Sequence, residues 1–246
     1  MEAQSLVLLK DGLNRYGVTA REVNISAIAR HLEMVVEWNE RMNLTAILAE
    51  RDMILKHVID SATALTSVKL AAGTKLLDVG TGAGFPGVVL KCLEPQAHVV
   101  LLESLGKRCT FLEAVGQEVI DQLPEPRGKY EVVWSRAEDA GKDVRFREQF
   151  DVVIARAVAE LRVLSEYCLP FCRVGGEFLA MKGPTASEEL AKAEEAIAKL
   201  GGAVAEVREV ELPEQAGIRT LIRVKKERAT PKAYPRKAGT PAKSPL

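Results

Sequence analysis

From Lys75 onward the chain alternates short apolar runs with longer stretches of helical character. The runs fall at residues 75–80, 97–104, 130–135, 150–156 and 177–181. None shows the strict apolar–polar alternation of a half-exposed strand, so each reads as a strand covered on both faces. The segments between them are long enough for crossover helices. That pattern predicts an α/β fold, a doubly wound and mostly parallel sheet. Two later runs, 203–212 and 218–225, do alternate, and only Pro213-Glu214-Gln215-Ala216-Gly217 separates them. This is too short for a crossover. They are expected to form an antiparallel hairpin that puts an antiparallel C-terminal strand at the sheet edge.

The first seventy residues carry no strand signal. Thr19-Ala20-Arg21-Glu22 has capping-box spacing, and Ile25, Ile28, Leu32, Val35 and Met42 then recur at helical intervals. A further helix is expected from about Asp52 to Ser67. The organisation read from the sequence is a helical appendage over 1–72, a sheet domain over 73–227 and a basic arm over 228–246. A length of 246 residues suits one large domain with an appendage. It is enough to bury a full core without disulfides or metals.

The 34 basic and 34 acidic residues cancel, so net charge alone names no partner. The balance is not local. Residues 224–246 hold seven Lys or Arg and one acid, Glu227, a net of +6 that invites a polyanion. No apolar run approaches the roughly 18 residues of a membrane span. The opening Met1-Glu2-Ala3-Gln4 lacks the cationic start of a secretory signal. Cys92, Cys109, Cys168 and Cys172 form neither a disulfide framework nor a Cys-x-x-Cys pair, and His31, His57 and His98 build no zinc motif. A cytoplasmic, metal-free protein, a monomer with no membrane partner, is the expectation.

The strongest local signal is Asp78-Val79-Gly80-Thr81-Gly82-Ala83-Gly84-Phe85-Pro86-Gly87. It follows the first strand and opens a helix, with Pro86 where a first turn tolerates proline. Bare glycine backbone lets a ligand approach closely, and a turn at the carboxyl end of a strand is where open α/β sheets bind ligands. The dinucleotide fingerprint Gly-x-Gly-x-x-Gly would need its third glycine at position 85, which is Phe85. The second strand ends in Glu103, an acid able to accept both hydroxyls of a ribose. The third leads into Ser135-Arg136-Ala137-Glu138, where an adenine edge could meet a backbone amide and a carboxylate.

Asp78, Gly80, Gly82, Gly84, Glu103 and Glu138 together resemble the class I S-adenosylmethionine-dependent methyltransferases and their Rossmann-like sheet. Finer features occur in order: Asn43-Leu44-Thr45, Lys56-His57-x-x-Asp60-Ser61, Gly82-Ala83-Gly84-Phe85-Pro86-Gly87, Ser104-x-x-Lys107-Arg108, Arg136-Ala137-Glu138, Ala155-Arg156-Ala157 and Tyr234-Pro235-Arg236-Lys237-x-Gly239-Thr240-Pro241. From about Trp38 to the C-terminus the chain is similar to the RsmG (GidB) family of bacterial methyltransferases. The resemblance implies an enzyme, a 16S ribosomal RNA guanine-N7 methyltransferase, acting with S-adenosylmethionine on the RNA or the subunit particle. Carried over by position, it implies cofactor contacts at Gly80, Phe85, Ala137, Glu138 and Arg156. Glu103 stands where many members have aspartate, which keeps the acceptor and shifts its reach.

N7 of guanine has a free lone pair and no proton, so methyl transfer to it needs no general base. No catalytic residue is therefore expected, only positioning groups, of which Arg156 and His57 are candidates. RNA contacts are expected at Lys56, His57, Lys107, Arg108, Arg136, Lys182, Arg236 and Lys237. Lys56-His57 with Asp60-Ser61 could equally lock the helical appendage onto the sheet. The arm is expected to touch RNA backbone or to form an ordered lid, and its deletion to leave cofactor affinity little changed. Three rivals share these residues: a nucleotide-dependent oxidoreductase, a non-catalytic RNA-binding or assembly factor, and a methyltransferase of another base or a small molecule. Only the resemblance selects N7.

Overall fold

The computed structural model describes residues 1–246. The chain opens with α1 (Ala3–Arg15) and α2 (Glu22–Asn39). A third helical stretch starts as α3 (Glu50–Met53), widens to a π-helix over Ile54–Ile59, and narrows through α4 (Asp60–Ala62) into a 3-10 turn at Thr63–Thr66. Strand and helix then alternate: β1 (Lys75–Val79), α5 (Gly87–Leu93), β2 (His98–Glu103), α6 (Gly106–Glu118), β3 (Tyr130–Trp134), α7 (Ala137–Ala140), β4 (Phe150–Arg156), α8 (Leu161–Cys168), β5 (Cys172–Lys182), α9 (Ala186–Lys199) and β6 (Gly202–Glu211). Next come β7 (Ile218–Lys226) and, near the C-terminus, a short α10 (Thr240–Lys243).

The seven strands form one sheet in the order β3-β2-β1-β4-β5-β7-β6. The first five are mutually parallel, with Leu76 opposite Val99 on one side and Val152 on the other. The order reverses between β1 and β4, and the carboxyl ends there form the crevice where such sheets bind ligands. The expected hairpin is present, but its C-terminal strand is not at the edge. β7 lies between β5 and β6, antiparallel to both, and β6 forms the border. The chain leaves α9 to lay down the outer strand first, then returns through the slot beside β5.

Side chains alternate across the sheet with the period of two that a pleat imposes. Leu76, Val99, Leu101, Val152, Ile154 and Leu179 face one apolar layer, while Leu77, Leu102, Val153, Ala155, Phe178 and Ala180 face the other. The second layer is closed by α8 and α9. The first is closed by α5, α6 and the leading helices, whose Leu9, Leu13, Ile28, Leu32, Ile54 and Val58 join the same continuous core. The segment read as an appendage thus supplies one covering layer of the sheet.

Helix α2 does not start where the Thr19 spacing suggests. Its first turn is closed by Asn24, whose Oδ1 accepts the Arg21 N–H at 2.8 Å while its Nδ2 donates to Cys92 O at 2.6 Å. The same side chain caps the helix and ties it to α5, and that tertiary bond outweighs the local hydroxyl signal. Between α1 and the π-helix the fit is closer still: a Cβ on Gly12 would lie 2.1 Å from the Ile59 side chain. A Gly12→Val variant is expected to lose about 1–3 kcal/mol of stability through overpacking. Urea unfolding checks this, and an unchanged midpoint would mean that α1 is not part of the cooperative core.

Candidate functional site

The glycine turn is stitched to the sheet at its start, where the Gly80 N–H donates to Leu102 O at 2.8 Å. Gly80, Gly82 and Gly84 all lie in the left-handed region, at φ of 72°, 61° and 90°. At Gly82 a Cβ would meet nothing within 4 Å, so this glycine faces open space. Beneath the turn Asp78 is fully buried, and its Oδ2 accepts the Gly87 N–H at 2.8 Å. Its other oxygen and the Thr81 hydroxyl are buried without a partner. Burial pushes the Asp78 carboxyl up to about 6, against the lowering influence of the neighbouring Thr81 side chain and the Gly87 N–H.

The turn is also gripped from the helical layer. His31 on α2 is fully buried, with Nε2 2.8 Å from Ala83 O. A carbonyl only accepts, so Nε2 carries the proton and Nδ1, which has no partner, is bare. Burial lowers the His31 pKa to about 4.

Two cavities open on this rim. The first, about 230 Å³, is lined by Val79, Gly80, Leu102 and Ser104, by Ser135, Arg136, Ala137 and Glu138, by Val158 and Tyr167, and by Gly239 and Ala242 of the C-terminal arm. Glu103 stands beside it. Its Oε1 accepts the N–H groups of Ser104 and Leu105 at 2.7 and 2.9 Å, and its Oε2 accepts Gly82 N–H at 3.1 Å. Glu138 is buried, and its Oε1 accepts the Gly239 N–H at 2.8 Å.

The second cavity, about 350 Å³, is cationic. Lys56, His57, Asp60, Arg156, Lys182 and Arg219 line it together with Ala157, Met181, Gly183 and Glu189. Asp60 Oδ2 accepts from Arg156 Nη1 at 3.1 Å and from Arg219 Nε at 3.0 Å, in a nearly buried two-arginine cluster. Arg156 also donates to Lys56 O and His57 O at 3.3 and 3.5 Å, on the widened π turn. The His57 ring stacks on Phe85 at 4.5 Å, and the Arg156 guanidinium lies 5.6 Å from the same ring. Thr45 Oγ1 sits 2.9 Å from His57 Nε2. Burial, aided by Arg156, lowers the His57 pKa to about 4. The cavities meet at consecutive residues, Ala157 lining one and Val158 the other, and Ala157 has φ of 55°.

Of the residues read from the sequence, Gly80, Ala137 and Glu138 line the first cavity, and Gly82 and Glu103 border it. Asp78, Gly84 and Phe85 sit behind it as supports. Phe85 is buried between His31 and His57 of the helical layer and Arg156 at the end of β4. Arg156 belongs to the second cavity, with Lys56 and His57. Arg136 lines the first cavity and, like Lys107 and Lys237, is exposed; Arg108 approaches Glu103 Oε2 at 3.7 Å. Several expected RNA cations are engaged within the protein, Lys56 with Asp52 at 3.0 Å. Lys182 donates to Ala159 O at 2.8 Å and pairs with Glu189 at 2.7 Å. Arg236 is bound to the buried Glu166. Sequence reading missed Arg219 and Tyr167. Arg219 could have been found: it opens an antiparallel strand whose start pairs with the end of β5, Thr220 opposite Lys182, and so returns to the same rim.

His31 gives this site a pH signature. Its pKa falls from 6.5 unfolded to about 4 folded. Above pH 6.5 both states are neutral. Between 6.5 and 4 only the unfolded chain takes up the proton, so stability drops by about 1.4 kcal/mol per pH unit. Asp78, raised from 3.8 to about 6, acts in the opposite sense over part of that range. A His31→Gln variant keeps a donor for Ala83 O and cannot titrate. Between pH 7.5 and 5 it is expected to lose about 2 kcal/mol less stability than the parent. Equal losses in urea titrations at the two pH values would contradict the assignment.

Comparison with known proteins agrees with this geometry. A protein-family model described as rRNA small subunit methyltransferase G matches residues 24–218. A ribosomal RNA small subunit methyltransferase G of Symbiobacterium thermophilum is 58% identical over 239 residues, 97% of each chain. Its counterpart in Alkaliphilus metalliredigens is 42% identical over 245 residues, 99% of each. Among solved structures, a branched-chain polyamine synthase variant of Thermus thermophilus superposes with a TM-score of 0.56 at 14% identity, over 82% of this chain and 65% of that one. Aeropyrum pernix fibrillarin with bound S-adenosyl-L-methionine gives 0.50 at 15%, over 64% and 68%. These two share the fold. The family match and the relatives go further: the chain belongs to the rRNA small subunit methyltransferase G family.

Proposed function

We propose that this protein transfers a methyl group from S-adenosylmethionine to N7 of a guanine in small-subunit ribosomal RNA. The observation that carries the reading is the pairing of two cavities across one residue. One is walled by bare backbone, apolar side chains and buried carboxylates; the other is cationic. The first suits a cationic nucleoside. Gly82 leaves room for it, Val79, Leu102 and Val158 flank a base, and Glu103 and Glu138 provide anionic acceptors. The second suits an RNA strand, whose phosphates are recognised by cations. The relatives' names supply the substrate class, and the resemblance supplies the atom.

When bound, S-adenosylmethionine supplies an electrophilic methyl carbon that an unprotonated ring nitrogen accepts directly. The protein's residues then have only to hold, orient and exclude water. Glu103 and Glu138 fix the nucleoside end. Phe85, braced by His57 and Arg156, stiffens the wall between the cavities. Arg156 and Arg219, each tied to Asp60, present cations in a fixed frame, so little side-chain freedom is lost on RNA binding. Positioning of this kind contributes up to about 7–11 kcal/mol in the best intramolecular systems. His57, held near 4, is neutral at physiological pH and stacks without adding charge.

The test is incubation of ribosomal RNA and of subunit particles with methyl-labelled cofactor, followed by chain cleavage specific to 7-methylguanine. Label in RNA that resists this cleavage would overturn the N7 assignment; no label in either substrate would overturn the RNA reading. Arg219→Gln is expected to lower kcat/KM for RNA about tenfold, the scale of one lost cationic contact. Its affinity for S-adenosylhomocysteine is expected to stay at the parent value. A variant with full RNA turnover would remove Arg219 from the substrate surface.

A further inference from the structure

We infer that the C-terminal arm is a structural part of the cofactor site, and that the buried Glu166–Arg236 pair is the device that puts it there. The arm carries a large positive charge, yet it does not hang free. Lys226, fully buried, donates to Leu169 O and to the Thr230 hydroxyl, and Arg147 donates to Thr230 O and Tyr234 O at 2.7 Å each. These bonds lead the chain to Arg236. There the Glu166 carboxylate, itself without solvent exposure, takes the Arg236 backbone N–H at 2.7 Å, Nε at 2.9 Å and Nη2 at 2.6 Å. A carboxylate in that position needs its partner, because an unpaired buried charge is strongly destabilising.

What lies on either side of the pair gives it a role beyond stability. Tyr167, the next residue on α8, lines the first cavity. Three residues past Arg236 the backbone turns at Gly239, with φ of 81°, and its N–H donates to Glu138 Oε1. Gly239 and Ala242 complete the cavity wall facing Ser135 and Ala137. The arm therefore occupies one oxygen of Glu138 and fixes the plane of the carboxylate, leaving Oε2 for an incoming nucleoside. Without the arm that wall is missing and Glu138 is free to rotate. Arm docking and cofactor binding are thus coupled, and coupling is reciprocal: the ligand must hold the arm as firmly as the arm holds the ligand. The inference rests on the S-adenosylmethionine site and not on the RNA target, so it stands or falls independently of the methylated atom.

Two variants separate anchor from wall. Deletion of residues 238–246 removes the Gly239 donor and Ala242 but leaves the Glu166–Arg236 pair intact. Arg236→Met removes the anchor. Calorimetric titration with S-adenosylhomocysteine is expected to show at least a tenfold loss of affinity in both, with the ligand-free melting temperature of the deletion close to the parent's. In the intact protein the same ligand is expected to slow tryptic cleavage after the exposed Lys237 at least tenfold. A deletion that binds within twofold of the parent, or cleavage indifferent to the ligand, would overturn the proposal. An intact protein that binds no S-adenosylhomocysteine would overturn it together with the cofactor assignment.

Discussion

The Asp78 carboxylate, buried beneath the glycine turn, accepts the Gly87 N–H and so joins the end of β1 to the first turn of α5. A Cβ on Gly87 would lie 2.8 Å from that oxygen and 2.3 Å from Leu101, so the bond can form only with glycine there. From the opposite side His31 holds Ala83 O. The turn is clamped between the sheet and the helical layer, and most of its backbone N–H groups are donated within the protein, which fixes its shape beside the first cavity. Remove either clamp and the other holds one end of a strained loop. This is why the leading helices matter to the site although none of the residues of α1 or α2 lines either cavity.

The strands were legible because parallel strands covered on both faces are written as unbroken apolar runs. The runs at 75–80 and 150–156 become Lys75–Val79 and Phe150–Arg156 with almost no change of boundary. The place of β7 was less legible. A hairpin states which two strands pair with each other, but which of them meets β5 depends on long-range packing such as Phe178 opposite Val224. The start of α2 was misread for a related reason. Thr19 offers a local cap, whereas Asn24 offers a cap and a bond to Cys92 O at once.

Cationic residues divide along the same line. Sequence can put a lysine or arginine at a strand end, but it cannot tell whether a carboxylate from elsewhere will reach it. Lys182 finds Glu189 and Arg236 finds Glu166, so both are withdrawn from solvent. Lys226 is buried on backbone carbonyls. Of the charge concentrated in the arm, Arg228, Lys232, Lys237 and Lys243 remain exposed without an acidic partner. The local excess that suggested a polyanion partner is thus internal only in part: Lys226 and Arg236 are held inside the fold, while the other arm cations face solvent.

The rim on which the two cavities open owes its arrangement to one unusual backbone conformation. A parallel strand sends successive side chains to opposite faces, yet at the end of β4 three successive residues serve two neighbouring cavities: Arg156 and Ala157 one, Val158 the other. The left-handed φ at Ala157 makes this possible by turning the chain sharply between them. A non-glycine residue in that region costs on the order of 1–3 kcal/mol. The cost is offset because Arg156 is tied down on Asp60 before the turn and Val158 packs against Gly80 after it. The small alanine side chain at the turn keeps the partition thin. For the methyl transfer proposed above, which would need only a donor and an acceptor brought into line, a wall of this kind would set the distance between the two ligands by backbone and not by a flexible side chain.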